Sequence, residues 1–168
     1  MVLTDPLTGL YNKRYLQRHL TGLIESGKGR QLAILMVDVD HFKTVNDRFG
    51  HAAGDRALRL IADSLRVNTR VFDSVARYGG EEFVVVMPGT GPDEAIAAAE
   101  RLRAAVEEID FRGSPEERHR LTVSVGVAFT PTETAVPEVL LQVADAALYD
   151  AKRNGRNRIE IARTSVPT

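Results

Sequence analysis

The sequence predicts an α/β (α+β) domain with a mostly antiparallel central sheet flanked by helices. Three observations carry this. First, the apolar run Leu32-Ala33-Ile34-Leu35-Met36-Val37 has no polar face, which marks a strand buried on both sides. Second, the double glycine Gly79-Gly80 separates two apolar segments, a hairpin signal. Third, from Gln31 the elements run strand, helix, strand, strand, helix, strand. That order is the split βαβ, ferredoxin-like βαββαβ pattern. The chain has 168 residues, enough for one domain with a real core.

Each element follows from its own pattern. Residues 10–25 place Leu10, Tyr11, Tyr15, Leu16, Leu20, Leu23 and Ile24 at helical spacing, and Ser26-Gly27-Lys28-Gly29 ends that helix. Gln31 to Val37 is the buried strand. Asp38 to Asp55 is polar and rich in turn residues. Ala57, Leu58, Ile61, Ala62 and Leu65 form the stripe of a second helix. Ser74 to Arg77 and Glu82 to Met87 are the hairpin strands, and Pro88-Gly89 stops the second. Ile96, Ala99, Leu102, Val106 and Ile109 make another helical stripe. Leu121 to Phe129 reads as a strand, Val139 to Lys152 as a helix and Arg158 to Ile161 as a short last strand. Helices on one face of the sheet are expected to bury the core, with function in the loops at strand ends.

Composition narrows the function. The formal net charge is −1, so no global basic field gathers nucleic acid and any phosphate binding must be local. Cysteine is absent, which removes disulfides and thiolate metal sites and is compatible with a reducing cytosol. No apolar run approaches the ~20 residues of a membrane-crossing helix, so direct membrane insertion is not expected. Met1-Val2-Leu3-Thr4 has neither the basic start nor the apolar stretch of a signal peptide.

The chemistry-bearing residues are acidic. Asp38 stands where the buried strand ends, and Asp40 shares its face if the strand continues. A carboxylate there is costly unless a positive partner compensates it. Mg²⁺ suits the position, because it takes a few protein oxygens and leaves the rest to water and phosphate; helix capping is the other use of aspartate at such a place. Glu81-Glu82 adds a second acidic pair beside Gly79-Gly80, whose missing Cβ atoms let a ligand approach the backbone. A plain hairpin turn with a solvated carboxylate would use the same residues. Two acidic clusters at strand ends, one beside a double glycine, favour a nucleotide site. Elsewhere the residues leave alternatives open. Asp55 suits a helix N-terminus and an ion pair with Arg59, and Asn46 suits a turn. Lys152 and Arg156 suit a helix C-terminus with Gly155 as its C′ residue. His41 and His51 lack zinc-ligand spacing.

At Arg77-Tyr78-Gly79-Gly80-Glu81-Glu82-Phe83 the sequence resembles the GGDEF family of diguanylate cyclases, in its variant with glutamate at the third position. Further segments match in order. Asp5-Pro6-Leu7-Thr8-Gly9-Leu10-Tyr11-Asn12 is similar to the family's opening segment. Asp38-Val39-Asp40-His41-Phe42-Lys43 resembles its metal and phosphate loop. Asn46-Asp47 and Gly50-His51-Ala52-Ala53-Gly54-Asp55 resemble its guanine-side segment. Ala144 to Lys152 and Gly155-Arg156-Asn157 resemble its last helix and turn.

The resemblance implies a palm-like nucleotidyl cyclase fold, with residues 1–161 as a single GGDEF catalytic domain and 162–168 as a flexible tail. It implies two Mg²⁺ (or Mn²⁺) ions held by Asp38, Glu81 and the Val39 carbonyl, with Glu82 and Asp40 as secondary candidates. Asn46 and Asp55 would read guanine, since a carboxylate can accept from its N1–H and 2-amino group. Phe42 and Lys43, mainly through backbone N–H groups, and Lys152 and Arg156 would bind the triphosphate. Gly79 and Gly80 would admit the nucleotide. Glu81, Asp38 and Lys152 would carry catalysis. Arg70, Asp73 and Arg101 would form an inhibitory product site. The implied reaction condenses two GTP into cyclic di-GMP and two pyrophosphates across a homodimer. The implied setting is the cytoplasm, including as the output domain of a larger protein with an upstream sensory or dimerising module. The alternative is a weak or inactive module that binds GTP or cyclic di-GMP.

Overall fold

The computed structural model describes residues 2–162; the expected tail lies, from residue 163 onward, outside them. In chain order the elements are α1 (Lys13–Ser26), β1 (Gln31–Val39), α2 (Phe42–Phe49), α3 (His51–Val67), β2 (Ser74–Arg77), β3 (Glu82–Pro88), α4 (Pro92–Glu107), β4 (Arg112–Ser114), β5 (Glu117–Arg118), β6 (Val123–Pro131), a 3-10 turn, α5 (Pro137–Arg153) and β7 (Ile159–Ile161). The main sheet has the order β2-β3-β1-β6-β7. All its pairings are antiparallel except β6 with β7. β1 is therefore central, and β3 lies between the parallel strands β1 and β2, as a split βαβ requires. None of the described helices is long and apolar enough to cross a membrane.

Strand β1 explains the layering. Ala33, Leu35 and Val37 face one core with α3 and α4 residues such as Ala57, Ile61, Ala99 and Leu102. Leu32, Ile34 and Met36 face a second core with Leu16 and Leu20 of α1 and Leu140, Ala144 and Leu148 of α5. Helices thus cover both faces, which corrects the expectation of a single covered face. A strand with no polar side needs apolar cover on each.

Two local expectations change. The stretch from Asp38 to Asp55 is not a long turn but holds all of α2 and the start of α3. The apolar stripe of α2 is only Phe42, Val45 and Phe49, too short to register as a period among polar neighbours. The first helix starts at Lys13, capped by the Asn12 side chain, which accepts from the Tyr15 N–H at 2.9 Å. Tyr11 instead bridges Ala76 as added edge to β2. The small β4–β5 hairpin was not foreseen; it docks beside α2, where Arg48 pairs with Glu117.

Gly126 sets how closely α5 approaches the sheet. A Cβ there would lie 2.1 Å from the Ala144 carbonyl oxygen and 2.3 Å from the Leu148 nitrogen. Both are helix backbone and cannot step aside. Gly126→Ala is expected to cost about 2 kcal/mol or more and lower Tm by roughly 5–10 °C. Gly22→Ala, on α1 with nothing within 4 Å of the new Cβ, should raise Tm slightly. Thermal unfolding of both variants checks the contrast.

Candidate active site

The end of β1, the β2–β3 turn, the start of α2 and the end of α5 meet at an open cavity of about 200 Å³. It is lined by Asp38, Val39, Asp40, His41, Phe42, Lys43, Glu81, Lys152 and Arg156. Larger hollows exist, one of about 500 Å³ between the opening segment and Arg70, but the acidic and basic candidates converge on the smaller one. Asp38 is 5% exposed, and Lys152 Nζ donates to its Oδ2 at 2.8 Å. The Val39 N–H donates to the Glu81 carbonyl at 3.1 Å, which binds the glycine turn to the end of β1. Among the described residues no group of three or more carboxylates or imidazoles is arranged to hold a metal ion. The lining carries three carboxylates, Asp38, Asp40 and Glu81, an oxygen set of the kind that a hard cation takes while leaving the rest of its shell to phosphate and water.

Negative charge is held here under tension. Burial pushes the Asp38 carboxyl above the usual range, and the charges of Asp40 and Asp145 add to this while Lys152 opposes it. Burial also raises Glu81, with the charge of Asp38 behind it and Lys152 again opposing. Glu82 is raised by burial, then by Asp38 and Asp145. Carboxylates disfavoured in their charged form and crowded together are what a divalent cation relieves. Glu82 lines a neighbouring cavity with Tyr78 and Asp145, so its side chain is a weaker ligand candidate than Glu81.

Asp40 has a structural task. Its carboxylate accepts from Thr122 Oγ1 at 2.7 Å, Ser124 Oγ at 2.6 Å and the Asn157 N–H at 3.0 Å. Asn157 accepts in turn from Arg103 Nη1 at 2.8 Å and donates to Glu107. This network fixes a turn in which Gly155, Arg156 and Asn157 all have positive φ. Left-handed backbone costs a non-glycine residue roughly 1–2 kcal/mol, and the bonds to Asn157 offset it. The turn places Arg156 in the cavity beside Lys152. Sequence reading did not assign Asn157 a role; its adjacency to Gly155-Arg156 was the available signal.

Arg77 ties the glycine turn to the opening segment. Its Nη2 donates to the Gly80 carbonyl at 2.8 Å, and its Nη1 lies 3.2 Å from Asp5 Oδ1. Asp5 also accepts from the Thr8 N–H and hydroxyl at 2.9 and 2.8 Å. The opening segment thereby latches the glycine turn. At Gly80 a Cβ would meet nothing within 4 Å, so no intramolecular contact demands glycine there and the space is open to a ligand.

The phosphate candidates on α2 divide by chemistry. The Phe42 ring belongs to the core, and Lys43 is exposed and pairs with Asp47 at 2.8 Å. What both offer the cavity is backbone N–H at a helix start, with no carbonyl to bond inside the helix. Asn46 and Asp55 do not line this cavity. They lie on α2 and α3, on either side of the Gly50 break. Asp55 is exposed and forms no ion pair with Arg59 among the described residues.

Arg70, Asp73 and Arg101 lie apart from the cavity. The Arg70 guanidinium bonds Asp73 Oδ1 at 3.0 Å, the Pro88 carbonyl at 3.3 Å and the Thr90 hydroxyl. Arg101 donates to the Asn68 carbonyl at 3.2 Å. Val71 and Phe72, at the tip of this turn, are 98% and 67% exposed.

A split-βαβ sheet with crowded acids at the end of its central strand, faced by two cations and a helix start, has the chemistry to receive a metal-bound phosphate group. The family model described as "Diguanylate cyclase, GGDEF domain" matches residues 2–158, and the chain belongs to that family. The response regulator PleD of Caulobacter vibrioides is 43% identical over 162 residues, covering 95% of this chain and 36% of PleD. Diguanylate cyclase A of Treponema denticola is 40% identical over 174 residues, covering 99% of this chain and 46% of that protein. The chain thus spans less than half the length of these curated relatives. Among solved structures, the GGDEF domain of DgcB from Caulobacter crescentus in complex with c-di-GMP superposes with a TM-score of 0.88 at 32% identity, over 98% of each chain.

The raised carboxylates make a signed prediction. A folded-state pKa above the unfolded one means that ionisation opposes folding, so this penalty is absent at low pH and grows as pH rises through the folded pKa. In chelator, Glu81→Gln should be more stable than the parent at pH 7, and the gap should close as pH falls toward the carboxylate range. Thermal melts across pH test this; a gap that widens on acidification would contradict it.

Proposed function

We propose that this chain is a diguanylate cyclase, condensing two GTP molecules into cyclic di-GMP with release of two pyrophosphates, as a pair of facing domains in the cytoplasm. The observation that carries the reading is the meeting of Asp38, Glu81, the α2 start, Lys152 and Arg156 on one cavity. Residues 1–161 act as one catalytic domain, and any upstream input module belongs to the rest of a longer protein.

Asp38, Glu81 and the Val39 carbonyl are the residues that would hold Mg²⁺ or Mn²⁺. Bound there, the cations supply charge neutralisation at the α-phosphate and the leaving pyrophosphate. The protein's own groups do the rest. The Phe42 and Lys43 N–H groups take phosphate oxygens from one side. Lys152 and Arg156 take the β- and γ-phosphates from the other, a role for which Lys152 must leave Asp38. Gly80, with open space where a Cβ would lie, admits the nucleotide close to the backbone, while at Gly79 the Glu82 carboxylate rests in that space. Asp55 accepts from guanine N1–H and the 2-amino group, with Asn46 as the second reader; ATP lacks that donor pair and would leave the carboxylate unpaired. The 3′-hydroxyl oxygen of one GTP attacks the α-phosphorus of the other, the bond to the β-phosphate breaks and the hydroxyl proton passes to a base, for which Glu81 is the candidate. One domain holds one GTP, so each of the two steps needs a second domain opposite.

Incubation with GTP and Mg²⁺ should yield cyclic di-GMP and pyrophosphate, and ATP should yield neither cyclic product nor comparable turnover. Glu81→Ala should abolish both products while remaining folded. A folded parent chain that binds GTP without turnover would select the binding-module alternative.

Feedback is part of the proposal. Arg70, Asp73 and Arg101 would bind the product through guanine edges and phosphates. Arg70→Ala should keep turnover but lose inhibition by added cyclic di-GMP; equal inhibition of variant and parent would remove this site from the mechanism.

A further inference from the structure

Gly54 sits on α3, inside a helix, where glycine is about 1 kcal/mol worse than alanine. It is not among the residues with positive φ, so the backbone does not demand glycine. The demand is steric. A Cβ built on Gly54 would lie 1.9 Å from Asn46 Oδ1, 3.0 Å from Asn46 Cγ and 3.1 Å from Phe42 Cζ. The Asn46 carboxamide rests where the side chain of residue 54 would be.

Asn46 is also fixed at its main chain. Its carbonyl accepts from the Gly50 N–H at 2.8 Å, closing α2. Its carboxamide, by contrast, makes no hydrogen bond within the chain among the described residues. Packing holds the group in place and leaves its donor and acceptor free for something else. The neighbouring residue on α3 is Asp55, whose carboxylate is exposed and unpaired among the described residues.

We propose that Gly54 is a specificity-determining position: its missing side chain seats the Asn46 carboxamide, which has no hydrogen-bond partner within the chain among the described residues, in the rotamer that reads a guanine edge, with Asp55 as the second reader. The proposal rests on the reading of the chain as a GTP-using cyclase. The two atoms nearest the missing Cβ both belong to one flexible side chain. A methyl group at residue 54 therefore turns the carboxamide out into another rotamer rather than breaking the fold, with Phe42 giving way by a few tenths of an ångström. Alanine's better helix propensity offsets part of that strain. The expected signature is unusual for a glycine packed against its neighbours: selectivity falls while stability holds.

The test measures calorimetric binding of α,β-methylene analogues of GTP and ATP, with Mg²⁺, to the parent, Gly54→Ala, Asn46→Ala and the double variant. Gly54→Ala should bind the GTP analogue about tenfold more weakly, the loss of one polar contact. Its affinity for the ATP analogue should not change, and its Tm should stay within about 3 °C of the parent. In the Asn46→Ala background Gly54→Ala should cost nothing further, because the two act through one group. Unchanged GTP affinity, an equal loss for both analogues, a full additional loss in the Asn46→Ala background or an unfolded Gly54→Ala would each overturn the proposal. A parent chain that prefers neither analogue would instead overturn the functional reading on which it rests.

Discussion

Asp40 is buried at the end of the central strand, and its carboxylate accepts from Thr122, Ser124 and the Asn157 N–H. A buried charge is tolerable only when donors surround it, and here they come from two separate parts of the chain. The bonds tie the end of β1 to the strand beside it and to the turn after α5. Everything on the cavity depends on that tie. Asp38 lies two residues before it, α2 starts two residues after it, Lys152 precedes the turn it anchors and Arg156 lies within that turn. The same motif that reads as a run of metal-binding acids is thus divided between Asp40, whose carboxylate is bonded into the frame, and Asp38, whose carboxylate meets Lys152.

The second constraint is electrostatic. Burial raises the pKa values of Asp38, Glu81 and Glu82, and each charge makes the others worse. Among the described residues, Lys152 makes the one ion pair to Asp38. Such a site is less stable than a neutral one, and the deficit becomes affinity for anything that brings positive charge. Under the proposed function a cation carried in with triphosphate would do so, and would free Lys152 for the phosphates. The distant turn at Arg70 is built the other way, with cation and carboxylate already satisfied by one another and by Pro88 and Thr90.

Most of the fold was legible because β1, β3 and β6 are apolar runs of strand length and α3, α4 and α5 carry long stripes. What escaped was short. With three apolar residues, α2 has too few turns to show a period, and β4 and β5 are held by contacts with α2 rather than by their own pattern. The second covered face escaped for another reason: a run such as Leu32 to Val37 tells that both sides are buried, but not by which helices. Tyr11 was misplaced because a stripe residue one turn before a helix looks like part of it.

The candidate site was legible as residue types and not as roles. Asp38, Glu81 and Gly79-Gly80 stand out by residue type, because metal ligation and close backbone approach restrict which side chains serve, whereas Asn46, Asp55, Lys152 and Arg156 become candidates only through the resemblance to the family. Chemical identity is a local property, and the sequence alone determined it, together with the family and the order of strands. Which acid is bonded into the frame, that Arg77 clamps the Gly80 carbonyl to Asp5, and that Gly54 makes room for Asn46 were decided only by the tertiary structure. Each of these depends on distances between segments far apart in the chain or on neighbouring helices. Burial and donors at those distances, not residue type, decide whether a carboxylate holds the frame or awaits a ligand.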